Sequence, residues 1–259
     1  MNRHWFWLPG VLLLAAPAVL AADLSELDYS VQARDRYDRC VELTKRKAGT
    51  AIDQAAAWYK AGGGAAALHC ESLGLVALRR YTEAADALAQ AAHEGAVGSA
   101  PERAALMDQA GNAWLLAGKP EKADESFSAA LAFAPQDEDV LADRARARGL
   151  RKDWAGAEAD LSAVLSLDPN RADALVLRAS ALHAEGRKAD ARADIEHALE
   201  VDPDYPEALL ERGNMKFEGG DAAGARADWQ QVVGDAPGTD AASTAEARLQ
   251  MLAVKPPKR

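Results

Sequence analysis

Apolar and small side chains recur along this chain with a long period. Pro135, Pro169, Pro203 and Pro237 stand 34 residues apart and divide the sequence into units 104–137, 138–171, 172–205 and 206–239. The eighth position of a unit is small (Gly111, Ala145, Ala179, Gly213), and so is the twentieth (Ala123, Ala157, Ala191, Ala225). The twenty-fourth is large (Phe127, Leu161, Ile195, Trp229), and the twenty-seventh is Ala130, Val164, Ala198 or Val232. Positions 4, 8 and 11 form one stripe of a first helix, and positions 20, 24 and 27 one stripe of a second, by 3.6-residue periodicity. A turn is expected near position 15, at Gly118, Lys152, Gly186 and Gly220. The small residue at position 8 lets the second helix approach closely.

The proline at position 32 stops the second helix, because proline disfavours helix in the residue before it and cannot continue the hydrogen-bond ladder. In "ALEVDPDYPEALLERG" (198–213) a helix therefore stops at Asp202-Pro203 and another restarts at Pro206. Each unit has an apolar face that only a neighbour can cover, so the units must stack.

Residues 112–135 (NAWLLAGKPEKADESFSAALAFAP) and 212–232 (RGNMKFEGGDAAGARADWQQV) carry a close resemblance to the tetratricopeptide-repeat family. The resemblance is strong over 104–239. It implies an all-α, right-handed superhelix of about six helix-turn-helix repeats. Residues 28–100 read as degenerate helical pairs of the same kind. A unit beginning at residue 65 has Leu68, Ser72, Leu75, Ala84, Leu88 and Ala91 in the matching places but lacks the closing proline. Before it, 31–64 reads as one more pair that ends at the Gly62-Gly63-Gly64 turn. Residues 240–252 read as a capping helix for the exposed end, and 253–259 as a tail.

The N-terminus changes the picture of where such a stack would work. A basic start (Arg3), the apolar run VLLLAAPAVL and small residues before Ala22 have the form of a secretory signal peptide over 1–21. No cysteine follows that would take a lipid, and no later stretch approaches the roughly 20 apolar residues of a membrane helix. A periplasmic or secreted protein of bacterial style is expected. The net charge is −10. Nucleic acid and anionic membrane, which need a basic surface, are poor partners for it.

Candidate chemistry is sparse. No phosphate-binding loop, nucleophile elbow, zinc-protease motif or CxxC is present, so no catalytic residue, metal or cofactor is assigned and a non-enzymatic role is expected. His69, His93, His183 and His197 are scattered and read as packed or solvated side chains. The chain has two cysteines, Cys40 and Cys70, and in an oxidising compartment a disulfide between them is the expected state. Position 7 is Arg144, Arg178 and Arg212 in three units, and position 23 is Asp160, Asp194 and Asp228 in the same three. The unit at 104 has Ala110 and Ser126 instead. Residues present or absent together suggest a ladder of ion pairs, within a unit or between neighbours; an anion-binding row of arginines is the alternative.

The family resemblance implies that extended peptides bind in a concave groove lined by the first helices, at positions 2, 5, 9 and 12. Those positions are Ala105, Asp108, Asn112 and Leu115; Asp139, Ala142, Arg146 and Gly149; Asp173, Val176, Ser180 and His183; and Glu207, Leu210, Asn214 and Phe217. An asparagine at position 9 (Asn112, Asn214) can both donate to and accept from a peptide backbone. Leu115, Val176, Leu210 and Phe217 could seat apolar side chains. Four acids against one arginine favour a neutral or basic extended segment of a partner protein. A structural subunit that uses its convex face or ends, and a small-ligand receptor or enzyme, are the competing expectations.

Overall fold

In the computed structural model, which describes residues 31–94 and 99–253, the described chain is helical throughout. Residues 1–30, which include the stretch 1–21 expected to be a signal peptide, the link 95–98 and nearly all of 253–259 lie outside the described residues. The helices are α1 Val31–Trp58, α2 Gly64–Ala77, α3 Tyr81–His93, α4 Ala100–Leu116, α5 Pro120–Phe133, α6 Glu138–Leu150, α7 Trp154–Leu167, α8 Ala172–Ala184, α9 Lys188–Val201, α10 Pro206–Glu218, α11 Ala222–Asp235 and α12 Asp240–Ala253. They form two compact units, the first ending at Val140 and the second starting at Leu141. Each unit is a run of helices packed on their neighbours in sequence.

The 34-residue period is visible in the backbone. Position 15 has positive φ in all five units that can be aligned: Arg79, Gly118, Lys152, Gly186 and Gly220. This left-handed residue ends the first helix and turns the chain into the second. Arg79 takes the same conformation as the glycines, so the unit starting at 65 is in register although its proline is missing. At the other joint, α9 ends at Val201 and the Tyr205 N–H donates to the Asp202 carbonyl at 3.1 Å. Pro206 then opens α10, where its missing N–H is no loss.

Two boundaries differ from the sequence expectation. α4 begins at Ala100, four residues before the unit start at 104. Ser99 and Glu102 cap each other's backbone N–H, and Pro101 follows the cap. α1 is two helices joined at Lys47, whose φ/ψ of −144°/65° is not helical. The Cys40 Sγ lies 3.9 Å from the Ala51 carbonyl, so the two halves fold back on each other. A π-helical turn, Tyr59–Gly63, then leads into α2.

The core matches small residues to large ones. A β-carbon placed on Gly111 would lie 2.5 Å from the Phe127 ring, and one on Gly213 2.5 Å from the Trp229 ring. In the two units between, position 8 is alanine (Ala145, Ala179) and position 24 the smaller Leu161 and Ile195, all four buried. Position 8 thus carries glycine where position 24 is aromatic and alanine where it is aliphatic. Gly213→Ala will cost the C-terminal unit about 1–2 kcal/mol, because overpacking outweighs the roughly 1 kcal/mol gain in helix propensity. In a Trp229→Leu background the same change will be neutral or stabilising. Equal costs in both backgrounds, measured by denaturant unfolding, would remove the size match.

Candidate functional site on the first helices

The arginines at position 7 and aspartates at position 23 meet inside their own repeat. Arg144 donates through Nε and Nη2 to the two carboxylate oxygens of Asp160 at 2.9 and 2.7 Å. Arg178 does the same to Asp194 at 2.8 and 2.7 Å, and Arg212 to Asp228 at 3.0 and 2.8 Å. All three aspartates are buried. Two of the arginines also reach the preceding second helix: Arg178 contacts Ser162 Oγ at 3.4 Å and Arg212 contacts Glu196 at 3.9 Å. These guanidiniums are committed to tying helices together. Position 11 departs from the expected apolar stripe for the same reason. Arg148 adds a second cation to Asp160 at 2.9 Å, and Lys216 one to Asp228 at 2.8 Å, while Leu182 holds that place between them.

The N-terminal unit is fastened differently. Cys40 and Cys70 form a disulfide with Cα atoms 6.2 Å apart, packed with Ala55 and Tyr37. Beside it, His69 is half-buried. The Tyr37 hydroxyl lies 2.6 Å from its Nδ1, and the Gln109 side-chain oxygen 2.9 Å from its Nε2. The imidazole that satisfies both carries its single proton on Nε2, donating to Gln109 and accepting from Tyr37. Burial holds its pKa below the usual histidine value. The unfolded chain therefore takes up a proton from about pH 6.5 downward while the folded one resists it, so stability falls on acidification below about pH 6.5. The N-terminal unit will melt progressively lower from pH 7 to pH 5, and His69→Gln will flatten that slope. An unchanged slope in the variant would assign the acid sensitivity elsewhere.

The sixteen side chains read as a binding face separate into groups. In the N-terminal unit, Ala105 is exposed, Asp108, Asn112 and Leu115 are half-buried, and the Asn112 amide donates to Asp108 at 3.4 Å. Asp139 is exposed, and its N–H takes part in capping the start of α6 through Asp137. In the C-terminal unit, Ala142 and Val176 are buried. Position 5 of these repeats packs against neighbouring helices, so Val176 cannot seat a ligand side chain. Arg146 is drawn to Asp143 and lies 3.7 Å from Asp173, which Arg171 also holds at 3.0 Å. These charges are engaged with one another. Tyr205 sits half-buried near them, its hydroxyl pushed well above the usual range by burial and by Glu207 and Asp173. Ser180 donates back to the Val176 carbonyl, and Gly149 approaches the Trp154 ring.

The remaining expected residues converge on α10. His183 of α8 reaches Glu218 through Nε2 at 3.1 Å, and Lys188 reaches the same carboxylate at 3.1 Å. These contacts, that of Lys188 foremost, hold the Glu218 carboxyl below its ordinary range. Glu211, on the same helix, shifts the opposite way. Burial raises it, against a smaller opposing effect of hydrogen bonding from Asn214 and the charges of His183 and Arg248. Phe217 is 44 % exposed although its ring also packs on Trp229, 5.8 Å between centroids. Sequence reasoning missed Glu211 and Glu218 because it took positions 2, 5, 9 and 12 alone. Positions 6 and 13 lie one residue, or about 100°, from positions 5 and 12, and belong to the edge of the same face. Among the described residues no group of histidine, cysteine and carboxylate side chains is placed to hold a metal ion, and no helix is long and apolar enough to cross a membrane.

Residues 142–196 and 184–241 match the tetratricopeptide-repeat family model. Together with the 34-residue helix-turn-helix period, this defines the class: the described chain is an α-helical repeat protein, and residues 142–241 match tetratricopeptide repeats. Similar solved structures include YrrB, described as a TPR protein with an unusual peptide-binding site. It is 18% identical with a TM-score of 0.59, covering 76% of this chain and 99% of YrrB. MamA (41-end) from Desulfovibrio magneticus RS-1 is 19% identical with a TM-score of 0.58, covering 68% and 97%. At these identities the likeness is one of fold. No curated protein matches the chain.

Proposed function

We propose that this chain is a non-enzymatic binding scaffold that holds an extended, neutral or basic segment of a partner protein on the first-helix face of its repeats. The single observation that carries this is the α10 face. It combines an exposed aromatic ring, half-buried Leu210 and Asn214, and carboxylates, while the arginines of the ladder are spent inside the repeats. A phosphate or carboxylate ligand finds no free guanidinium row there. The peptide-binding site described for YrrB, a protein of the same fold, supports the reading. The signal-like start and the disulfide support an oxidising compartment, the periplasm or outside the cell, as its place of work.

A photo-crosslinker placed at Leu210 tests the binding face, with one at Arg226 on α11 as the reference. Partner protein is expected to crosslink at Leu210 and not at Arg226, and Asn214→Ala with Asn112→Ala to reduce that crosslink several-fold at unchanged melting temperature. Crosslinking at Arg226 alone would move the site to the second helices.

A further inference from the structure

Large apolar side chains that stay exposed gather at the ends of helices, and a charge follows each of them. At the turns inside repeats the charge is positive: Leu78 precedes Arg79, and Leu116 precedes Lys119. At the joints between repeats it is negative: Leu167 precedes Asp168, and Val201 precedes Asp202. These four apolar side chains are 42–47% exposed. The same combinations recur at the Leu150–Lys152 turn and the Phe133–Asp137 joint. The last repeat has neither, since its turn runs Glu218-Gly-Gly-Asp221 and its second helix ends at Asp235. The fold therefore does not demand an apolar residue at these places.

Neither set of charges is spent inside the molecule. Arg79 and Lys119 form no ion pair among the described residues. Lys119 instead reaches Thr82 Oγ1 at 3.3 Å, which sets the two turns of the N-terminal unit side by side. Arg79 holds a positive φ of 58° where three other repeats place glycine, so the turn itself gains nothing from an arginine. Asp168 and Asp202 accept backbone N–H groups, from Asn170 at 3.1 Å and Asp204 at 3.2 Å, and meet no lysine or arginine among the described residues.

We propose that a second copy of this chain docks here. The Leu167 and Val201 joints of one copy's C-terminal unit meet the Leu78 and Leu116 turns of another copy's N-terminal unit, apolar on apolar and aspartate on arginine or lysine. Each pair of anchors comes from consecutive repeats, so the spacing of one pair matches that of the other. Burial of the anchors supplies the attraction. The charges decide which edge meets which, because turn on turn sets cation against cation and joint on joint sets acid against acid. The two surfaces differ, so the contact is heterologous and each copy brings one of either kind. No residue of α10 takes part, and the proposal stands apart from the peptide-binding reading.

Sedimentation velocity on residues 22–259, which contain every described residue, tests this from about 10 to about 500 μM protein. The mean sedimentation coefficient of the parent should rise with concentration. Reversing the turns (Arg79→Glu with Lys119→Glu) or the joints (Asp168→Lys with Asp202→Lys) should weaken self-association by about ten-fold or more. An equimolar mixture of these two variants should associate about as strongly as the parent. In the mixture one variant keeps the parent's turns and the other keeps its joints. Arg79→Gly with Leu116→Ser keeps the fold, because glycine suits the positive φ and Leu116 is exposed. That variant should associate about five-fold more weakly at unchanged melting temperature. A parent that stays monomeric throughout, folded reversed variants that associate as the parent does, or a mixture of them that stays monomeric would overturn the proposal. Parental association of the Arg79→Gly, Leu116→Ser variant would overturn it even where a reversed variant fails to fold.

Discussion

Replacing both cysteines by alanine will lower the stability of the N-terminal unit by about 3–4 kcal/mol, the chain-entropy value for opening a loop of this length. The bridge closes 30 residues. It sits where the repeat pattern is weakest. α1 is broken at Lys47, the link to α2 runs through a π-turn, and the sulfurs pack in a small cluster with Ala55 and Tyr37. Ala51, Ile52 and Trp58 are buried as well, so the cross-link's restriction of the unfolded chain adds to the packing that holds residues 31–58 to the stack. The melting temperature of that unit should drop by on the order of 10 °C. Hydrogen exchange should accelerate in α1 and α2 while α8 to α12 keep their protection, because repeat arrays lose structure locally. Both sulfurs are joined in the bridge, so the parent protein should react with no thiol reagent even after unfolding without reductant. A double variant that melts within about a degree of the parent would show that packing alone holds this end.

The period of the fold was legible in the sequence because each element of it has a local cause. A proline at position 32 ends a helix wherever it stands, and a glycine at position 15 permits a left-handed turn. The same positions fixed the register of the unit at 65, where Arg79 adopts the turn conformation without being glycine. The ion pairs were legible as a correlation, since arginine at 7 and aspartate at 23 come and go together. Their reach was not: Arg148 and Lys216 occupy a nominally apolar position and were drawn onto the same aspartates by charges that a periodicity argument ignores. The binding face was the least legible. Val176 and Ala142 lie at the right angle on their helix but are covered by neighbours. Arg146 and Asp173 satisfy each other across two helices. Sequence spacing gives the direction of a side chain from its own helix; what the next helix does with it depends on packing between elements far apart in the chain.

In the C-terminal unit the largest single loss will come from Asp160→Ala, about 3 kcal/mol. Asp160 is 4% exposed and accepts hydrogen bonds from two arginines, Arg144 through both of its oxygens and Arg148 through one. Removing it leaves two guanidiniums facing each other without the charge that holds them. Breaking a buried pair by deleting one partner costs about 3–5 kcal/mol, and the low end applies because the Arg144 and Arg148 side chains keep some contact with water. Asp194→Ala will cost less. Leu182 stands where Arg148 stands in the preceding repeat, so one arginine is stranded and not two. The unit at 104 shows what the fold does without the pair, with Ala110 and Ser126 both buried in its place. Converting the next unit to that kind of interior, by Arg144→Ala, Arg148→Leu and Asp160→Ser together, should therefore recover most of the loss. A neutral packed arrangement is commonly as stable as a buried ion pair of the same volume. Urea unfolding of the single and triple variants decides the matter. If Asp160→Ala lies within about 0.5 kcal/mol of the parent, the arginines are solvated and the ladder does not tie the helices together.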